Sequence, residues 1–173
     1  MSDLAAVSAG VKQLHARYTD AVWRKDAEAF ADCFADGGEW RISGLAMKGR
    51  AEIASTIGRI FDRMHRVLFS YGDPVLSLVD GAWCARVMVN ERVAWADGQT
   101  NVSIGRYYER LVEEAGVWRF GWRLFELHYR GPPDLTGDWF DHPDYGPPPG
   151  MPPLDALALD TSSVRWNLGT REA

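Results

Sequence analysis

The apolar rhythm of the chain changes once, after Met64, and that change limits the fold more than any other feature. Before it, apolar residues recur three and four positions apart. Leu4, Val7, Val11, Leu14, Tyr18 and Val22 form one stripe with Gln13, Arg17, Asp20 and Arg24 opposite, which predicts a long amphipathic helix. Asp26 reads as the N-cap of a short second helix carrying Phe30, Cys33 and Phe34, expected to end near Asp36-Gly37-Gly38. Residues 39–43 alternate and turn at Gly44 into 45–48, a β-hairpin, and Gly49 opens a third helix with Ile53, Ile57, Ile60, Phe61 and Met64 on one face. After Met64 come long β-rich stretches, 67–78, 83–95, 102–112 and 118–129, broken by Asp80-Gly81, Asp97-Gly98 and Glu114-Ala115-Gly116. The expected fold is α+β: three N-terminal helices packed in a curled antiparallel sheet, because a sheet with one apolar face must close over something.

At residue 130 the composition changes again, and eight of the nine prolines follow it. The chain thus divides into a domain over 1–129 and a Pro/Gly-rich arm over 130–173, in which Trp139, Phe140, Tyr145, Met151 and Trp166 are apolar anchors. Proline excludes helix and central strand over most of the arm, which is expected to lie on its own domain or on a neighbouring subunit. No apolar run approaches the roughly 18 residues of a membrane span, and the N-terminus lacks a basic segment followed by an apolar one, so a cytoplasmic protein without a membrane partner is expected. Cys33 and Cys84 lack the spacing of a zinc or disulfide framework. His15, His65, His128 and His142 form no HxH or HExxH pair, and there is no phosphate-cradling Gly loop, so neither a metal nor a cofactor is expected. A net charge of −5, with 16 Arg scattered among acids, leaves no basic stripe for nucleic acid.

The motifs YTDAVWRKDAEAFADCFADGGEW, the G-R-x-x-I helix start and GRYYERLVEEAGVWRF together resemble the SnoaL-like branch of the NTF2-like superfamily over residues 5–129. That branch includes polyketide cyclases, ketosteroid isomerases, scytalone dehydratase and a dehydrochlorinase. The resemblance implies a deep cone-shaped pocket between the sheet and the helices and frequent dimers through the outer face of the sheet. It also implies a histidine after the third helix, which is His65 here, paired with an aspartate near the end of the first helix, where this chain has Trp23. A pocket-lining asparagine of the dehydratase corresponds to Tyr107.

From the residues themselves, His65 is a candidate general base or a helix C-terminal residue favoured by the dipole. Glu91 interrupts an otherwise apolar face made by Trp83, Ala85, Val87, Val89, Val93 and Trp95. It either points into the cone with a raised pKa or is turned out by a bulge or ion pair. Tyr107 and Tyr18 are donors to an oxyanion or ordinary core tyrosines. Eight Trp are several times the usual share, and Trp23, Trp40, Trp83, Trp95 and Trp122 either wall a ring-shaped ligand or fill the core. These features suggest a cofactor-independent lyase or isomerase for an aromatic or polycyclic small molecule. His65 would be the base, Glu91 a second acid or base, and the tyrosines donors to the oxyanion. The alternative is a non-catalytic binder of an apolar metabolite. A homodimer is expected through the mixed outer face of Arg86, Met88, Asn90 and Arg92.

Overall fold

The structure is a computed structural model that describes residues 3–159. Helix α1, Leu4–Arg24, starts at an Asp3 cap whose carboxylate accepts the Ala5 N–H at 3.3 Å, and it buries Val7, Val11, Leu14, Tyr18, Ala21 and Val22. Asp26 caps α2, Ala27–Ala31, accepting the Ala29 N–H at 2.9 Å. The expectation that α2 runs to Asp36 is corrected, because strand β1, Phe34–Ile42, has already begun. Phe34 is paired with Phe120, whose N–H donates to the Cys33 carbonyl at 2.9 Å, so sheet pairing overrides the helical spacing of Phe30 and Phe34. The ladder is irregular between Phe34 and Glu39, where a Cβ on Gly38 would lie 2.8 Å from the Phe120 carbonyl oxygen. Helix α3, Arg50–Phe61, turns Ile53, Ile57, Ile60 and Phe61 inward. No helix among the described residues is long and apolar enough to cross a membrane.

The remaining strands are β2 (Leu45–Lys48), β3 (Met64–Tyr71), β4 (Val75–Val79), β5 (Ala82–Trp95), β6 (Thr100–Glu114), β7 (Val117–Gly131) and β8 (Asp138–Trp139). They form one sheet of order β2-β1-β7-β6-β5-β3, with β4 also on β5 and β8 on β7. Two expectations need correction. The sheet is mixed, because β1 runs parallel to β7. The stretch 67–78 is two strands, since Gly72-Asp73-Pro74 breaks it and both halves pair antiparallel with β5. The turns at Asp80-Gly81 and Ala115-Gly116 have positive φ at both residues, matching the twist of the hairpins they close.

Beyond β7 the chain lies on the outer face of its own sheet. Phe140 N–H donates to the His128 carbonyl at 2.9 Å, and Asp144 pairs with Arg86 and Arg106 at 3.5 and 3.6 Å. Tyr145, Met151 and Ala158 pack with Tyr108, Trp122 and Leu124, and Arg41 donates to the Ala156 carbonyl. Residues 160–173, including Trp166, lie outside the described residues.

Inside the curl the core is aromatic and carries one buried ionic cluster. Arg123 on β7 and Glu109 on β6 are opposite residues with no exposed side-chain surface. Arg123 Nε donates to Glu109 Oε1 at 2.9 Å, and His15 of α1 meets Glu109 Oε2 at 2.9 Å. Arg123 also donates to the Tyr71 hydroxyl, and its guanidinium lies 3.4 Å from the Tyr107 ring centre and 4.3 Å from that of Tyr18. Burial pushes the Glu109 carboxyl up, but the charges and hydrogen bonds of His15 and Arg123 outweigh it and hold the group below the usual carboxylate range. A depressed folded-state pKa means that Glu109 stabilises the fold above the unfolded value of about 4.3 and that this contribution is lost as pH falls. Glu109→Gln removes one partner of a buried pair and is expected to destabilise the protein by about 3–5 kcal/mol at pH 7 in urea unfolding. The deficit should shrink as the pH is lowered below about 4. A loss under about 1 kcal/mol, or one independent of pH, would contradict the pairing.

Candidate functional site

A cavity remains between the helices and the concave face of the sheet. Val22, Phe30, Ile57, Ile60, Phe61, Met64, Phe69 and Phe125 make its apolar wall. Its polar lining comes from Tyr18, Trp40, Ser43, Glu91, Asn101, Ser103, Tyr107 and Arg130. The cavity is about 60 Å³, room for some four to six waters at roughly 10–15 Å³ each. Trp95, Asn101 and Arg130 also line an adjoining cleft of about 520 Å³, a vestibule at the surface.

Glu91 reaches this cavity because β5 alternates without a break, placing it on the face shared with Val87, Val89 and Val93, opposite Ser103 on β6 and Phe69 on β3. Burial pushes its carboxyl up to about 7, an effect only partly offset by the Arg130 charge. Nearby, the Tyr18 and Tyr107 hydroxyls lie 3.4 Å apart. Burial raises the pKa of both phenols, against the opposing charge of Arg123, so they keep their protons and can donate. The Trp40 ring N–H is close enough to influence the Tyr107 hydroxyl, yet this buried donor makes no hydrogen bond of proper geometry. At the mouth, Trp95 Nε1 donates to Asn101 Oδ1 at 2.5 Å and Asn101 Nδ2 to Ser103 Oγ at 3.1 Å. The site therefore offers a carboxyl that changes charge near neutral pH, neutral O–H and N–H donors, and an apolar wall. That combination suits proton transfer to or from a flat apolar molecule and hydrogen bonding to an oxygen on it.

Of the residues singled out in the sequence, Glu91, Tyr107, Tyr18, Trp40 and Trp95 meet in this cavity. Four do not. His65 is exposed in a separate surface depression with Trp23, Lys25 and Arg66, because β3 begins at Met64 and alternation sends Met64 inward and His65 out. Trp23 is 62% exposed, since on α1 it is Val22 that turns to the cavity. Trp83 sits opposite Leu111, at the other end of β5 from Trp95. Trp122 is on the outer face with Tyr108 and Leu124.

Four polar cavity residues, Ser43, Asn101, Ser103 and Arg130, were not singled out. Asn101 and Ser103 follow from the two-residue period that carries Tyr107 inward on β6. Arg130 does not follow, because the register of β6 against β7 slips between Ile104 and Gly105, and the slip reverses which β7 residues face in.

Comparison with known proteins agrees with this architecture. The family model described as SnoaL-like domain matches residues 4–123. Hexachlorocyclohexane dehydrochlorinase LinA-type3 from Novosphingobium barchaimii superposes with a TM-score of 0.67 at 20% identity, covering 80% of this chain and 97% of that one. A scytalone dehydratase-like protein from Novosphingobium aromaticivorans gives 0.68 at 15% identity, covering 73% and 87%. A protein from Catenulispora acidiphila gives 0.64 at 24% identity, covering 71% and 92%. At these identities the likeness establishes the fold and leaves the reaction open. No curated protein matches the sequence. With the model spanning most of α1 to β7, the chain belongs to the SnoaL-like domain family of the NTF2-like superfamily.

Proposed function

We propose that the cavity houses a cofactor-independent lyase or isomerase acting on a small flat apolar molecule, aromatic in its best-fitting form. The observation that carries this reading is Glu91, a carboxyl among apolar side chains with its pKa near 7 and donors close by. Glu91 is the acid or base. Tyr107, Tyr18 and the Trp40 N–H are donors to the oxygen on which negative charge develops. Proton abstraction followed by elimination or a double-bond shift needs only these groups. His65 has no part in this scheme, being outside the cavity.

A second reading, a non-catalytic binder, is favoured by Trp23 standing where the resemblance implies an aspartate and by the outward His65. In either case the functional domain extends through β7, since Arg130 lines the cavity, and the Pro-rich arm follows it. Leu68 and Met88, 50% and 43% exposed, lie on the part of the sheet's outer face that would be shared in a homodimer.

Two experiments bear on Glu91. With nitrobenzisoxazole as a probe, a base takes the ring C–H proton, the N–O bond breaks, and the phenolate oxygen leaves with the electron pair. The protein is expected to accelerate this elimination with a rate that rises with pH through about 7, and Glu91→Gln to lose at least about tenfold. Equal rates for the two proteins would remove Glu91 from the chemistry, and binding of 2-naphthol without any acceleration of the probe would favour the binder.

Stability gives the second check. A raised folded-state pKa means that the contribution of Glu91 is full below the unfolded value of about 4.3 and is lost as pH rises through about 7. The Tm of Glu91→Gln is therefore expected to match that of the wild type near pH 4 and to exceed it by a constant amount above pH 8. A Tm difference that does not vary with pH would contradict the cavity position of the carboxyl.

A further inference from the structure

Trp95, Asn101 and Arg130 line both the inner cavity and a larger cleft that adjoins it at the surface, whose lining carries more charged and amide groups. One wall of this vestibule is the segment after α3, with Asp62 and Arg63, and the other is the β5–β6 turn, with Asp97 and Gln99. One backbone bond joins the two walls, from the Ala96 N–H to the Arg63 carbonyl at 2.8 Å, and another closes the β5–β6 turn, from the Trp95 N–H to the Gln99 carbonyl at 2.8 Å. Asp97 accepts the Gln99 N–H at 2.9 Å through one oxygen. The spacing between Arg63 and Gln99 is thus fixed before any ligand arrives, which lowers the entropy cost of binding.

The composition of the vestibule says what it would hold. Two carboxylates, Asp62 and Asp97, balance two guanidiniums, Arg63 and Arg130, so no excess of positive charge selects an anion. The groups that remain are mixed acceptors and donors beside the Trp95 ring, and Trp95 lines both chambers with its N–H held by Asn101. An indole beside mixed acceptors and donors suits a neutral polyhydroxyl ring, whose C–H groups pack on an aromatic ring while its hydroxyls bond to carboxylate, amide and guanidinium.

Resting on the proposed reading of the inner cavity, we infer that the ligand has two parts: a flat apolar head in the inner cavity and a neutral, hydroxyl-rich, sugar-like tail in the vestibule. The junction between the parts passes Trp95, Asn101 and Arg130. Removal of the tail leaves the head free to bind, but more weakly.

The test uses three probes with one head: p-nitrophenol, p-nitrophenyl β-glucoside and p-nitrophenyl phosphate, titrated by calorimetry against the full chain. The glucoside is expected to bind at least about tenfold tighter than p-nitrophenol, a gain within reach of one hydrogen bond to a charged group. The exposed double variant Arg63→Ala/Gln99→Ala should lose that gain and keep its affinity for p-nitrophenol. Equal affinities of the wild type for glucoside and phenol would overturn the two-part ligand, and so would a phosphate that binds tighter than the glucoside. Glu91→Gln separates this inference from the acid–base reading. It is expected to retain the glucoside gain whatever happens to turnover, so a gain present in both proteins supports the tail site even if Glu91 proves inert.

Discussion

The ion pair of Arg123 and Glu109 is the interaction on which the interior depends. A guanidinium with no exposed surface is tolerable only where its charge is met, and here Glu109 meets it from the neighbouring strand while His15 meets Glu109 from α1. The pair therefore ties the two longest strands to the longest helix. It also settles where the tyrosines lie. Tyr18, Tyr71 and Tyr107 gather around the guanidinium as ring faces and as a hydroxyl acceptor, and Tyr18 and Tyr107 then form part of the cavity wall. The cation behind these rings makes their hydroxyls better donors, while burial keeps them protonated.

Against this ion-paired cluster, Glu91 stands as the contrasting case. Both glutamates are on the concave face of adjacent strands, and both lose hydration. Glu109 has two partners and is held ionised, whereas Glu91 has only the partial compensation of Arg130 and rises to about 7. Environments that push two like groups apart mark one as structural and the other as available for proton transfer. The same contrast appears among the indoles. Trp95 has its N–H bound by Asn101, while the buried Trp40 N–H has no bond of proper geometry. A buried donor without a hydrogen bond and a carboxyl only partly compensated, both lining one cavity, form the arrangement expected where a ligand supplies further partners.

Much of this was legible in the sequence, for identifiable reasons. Local periodicity carried the α1 stripe, the Asp26 cap and the inward side of β5, because each depends on residues a few positions apart. Glu91 was legible for the same reason, as the one charged residue on that face. What failed depended on partners distant in the chain. Phe34 joined a strand because Phe120 was there to pair with it. Arg130 turned inward because of a slip in register against β6, and Trp122 turned outward because β7 keeps the opposite parity to the one its ring suggested. His65 was placed by resemblance to relatives, and the early start of β3 at Met64 carried it to the surface. The Arg123–Glu109 pair was likewise invisible, since nothing in either strand alone shows that the two residues face each other.

The most direct test of the account is the titration of Glu91 itself. Carbon-13 NMR of side-chain carboxyls, with Glu91→Gln used to assign the resonance, reads its protonation without any substrate. A single titration centred near 7 is expected, disappearing in the variant. A midpoint between about 4 and 5, the ordinary range of an exposed glutamate, would show that the carboxyl is solvated or paired and would remove the chemical basis of the site.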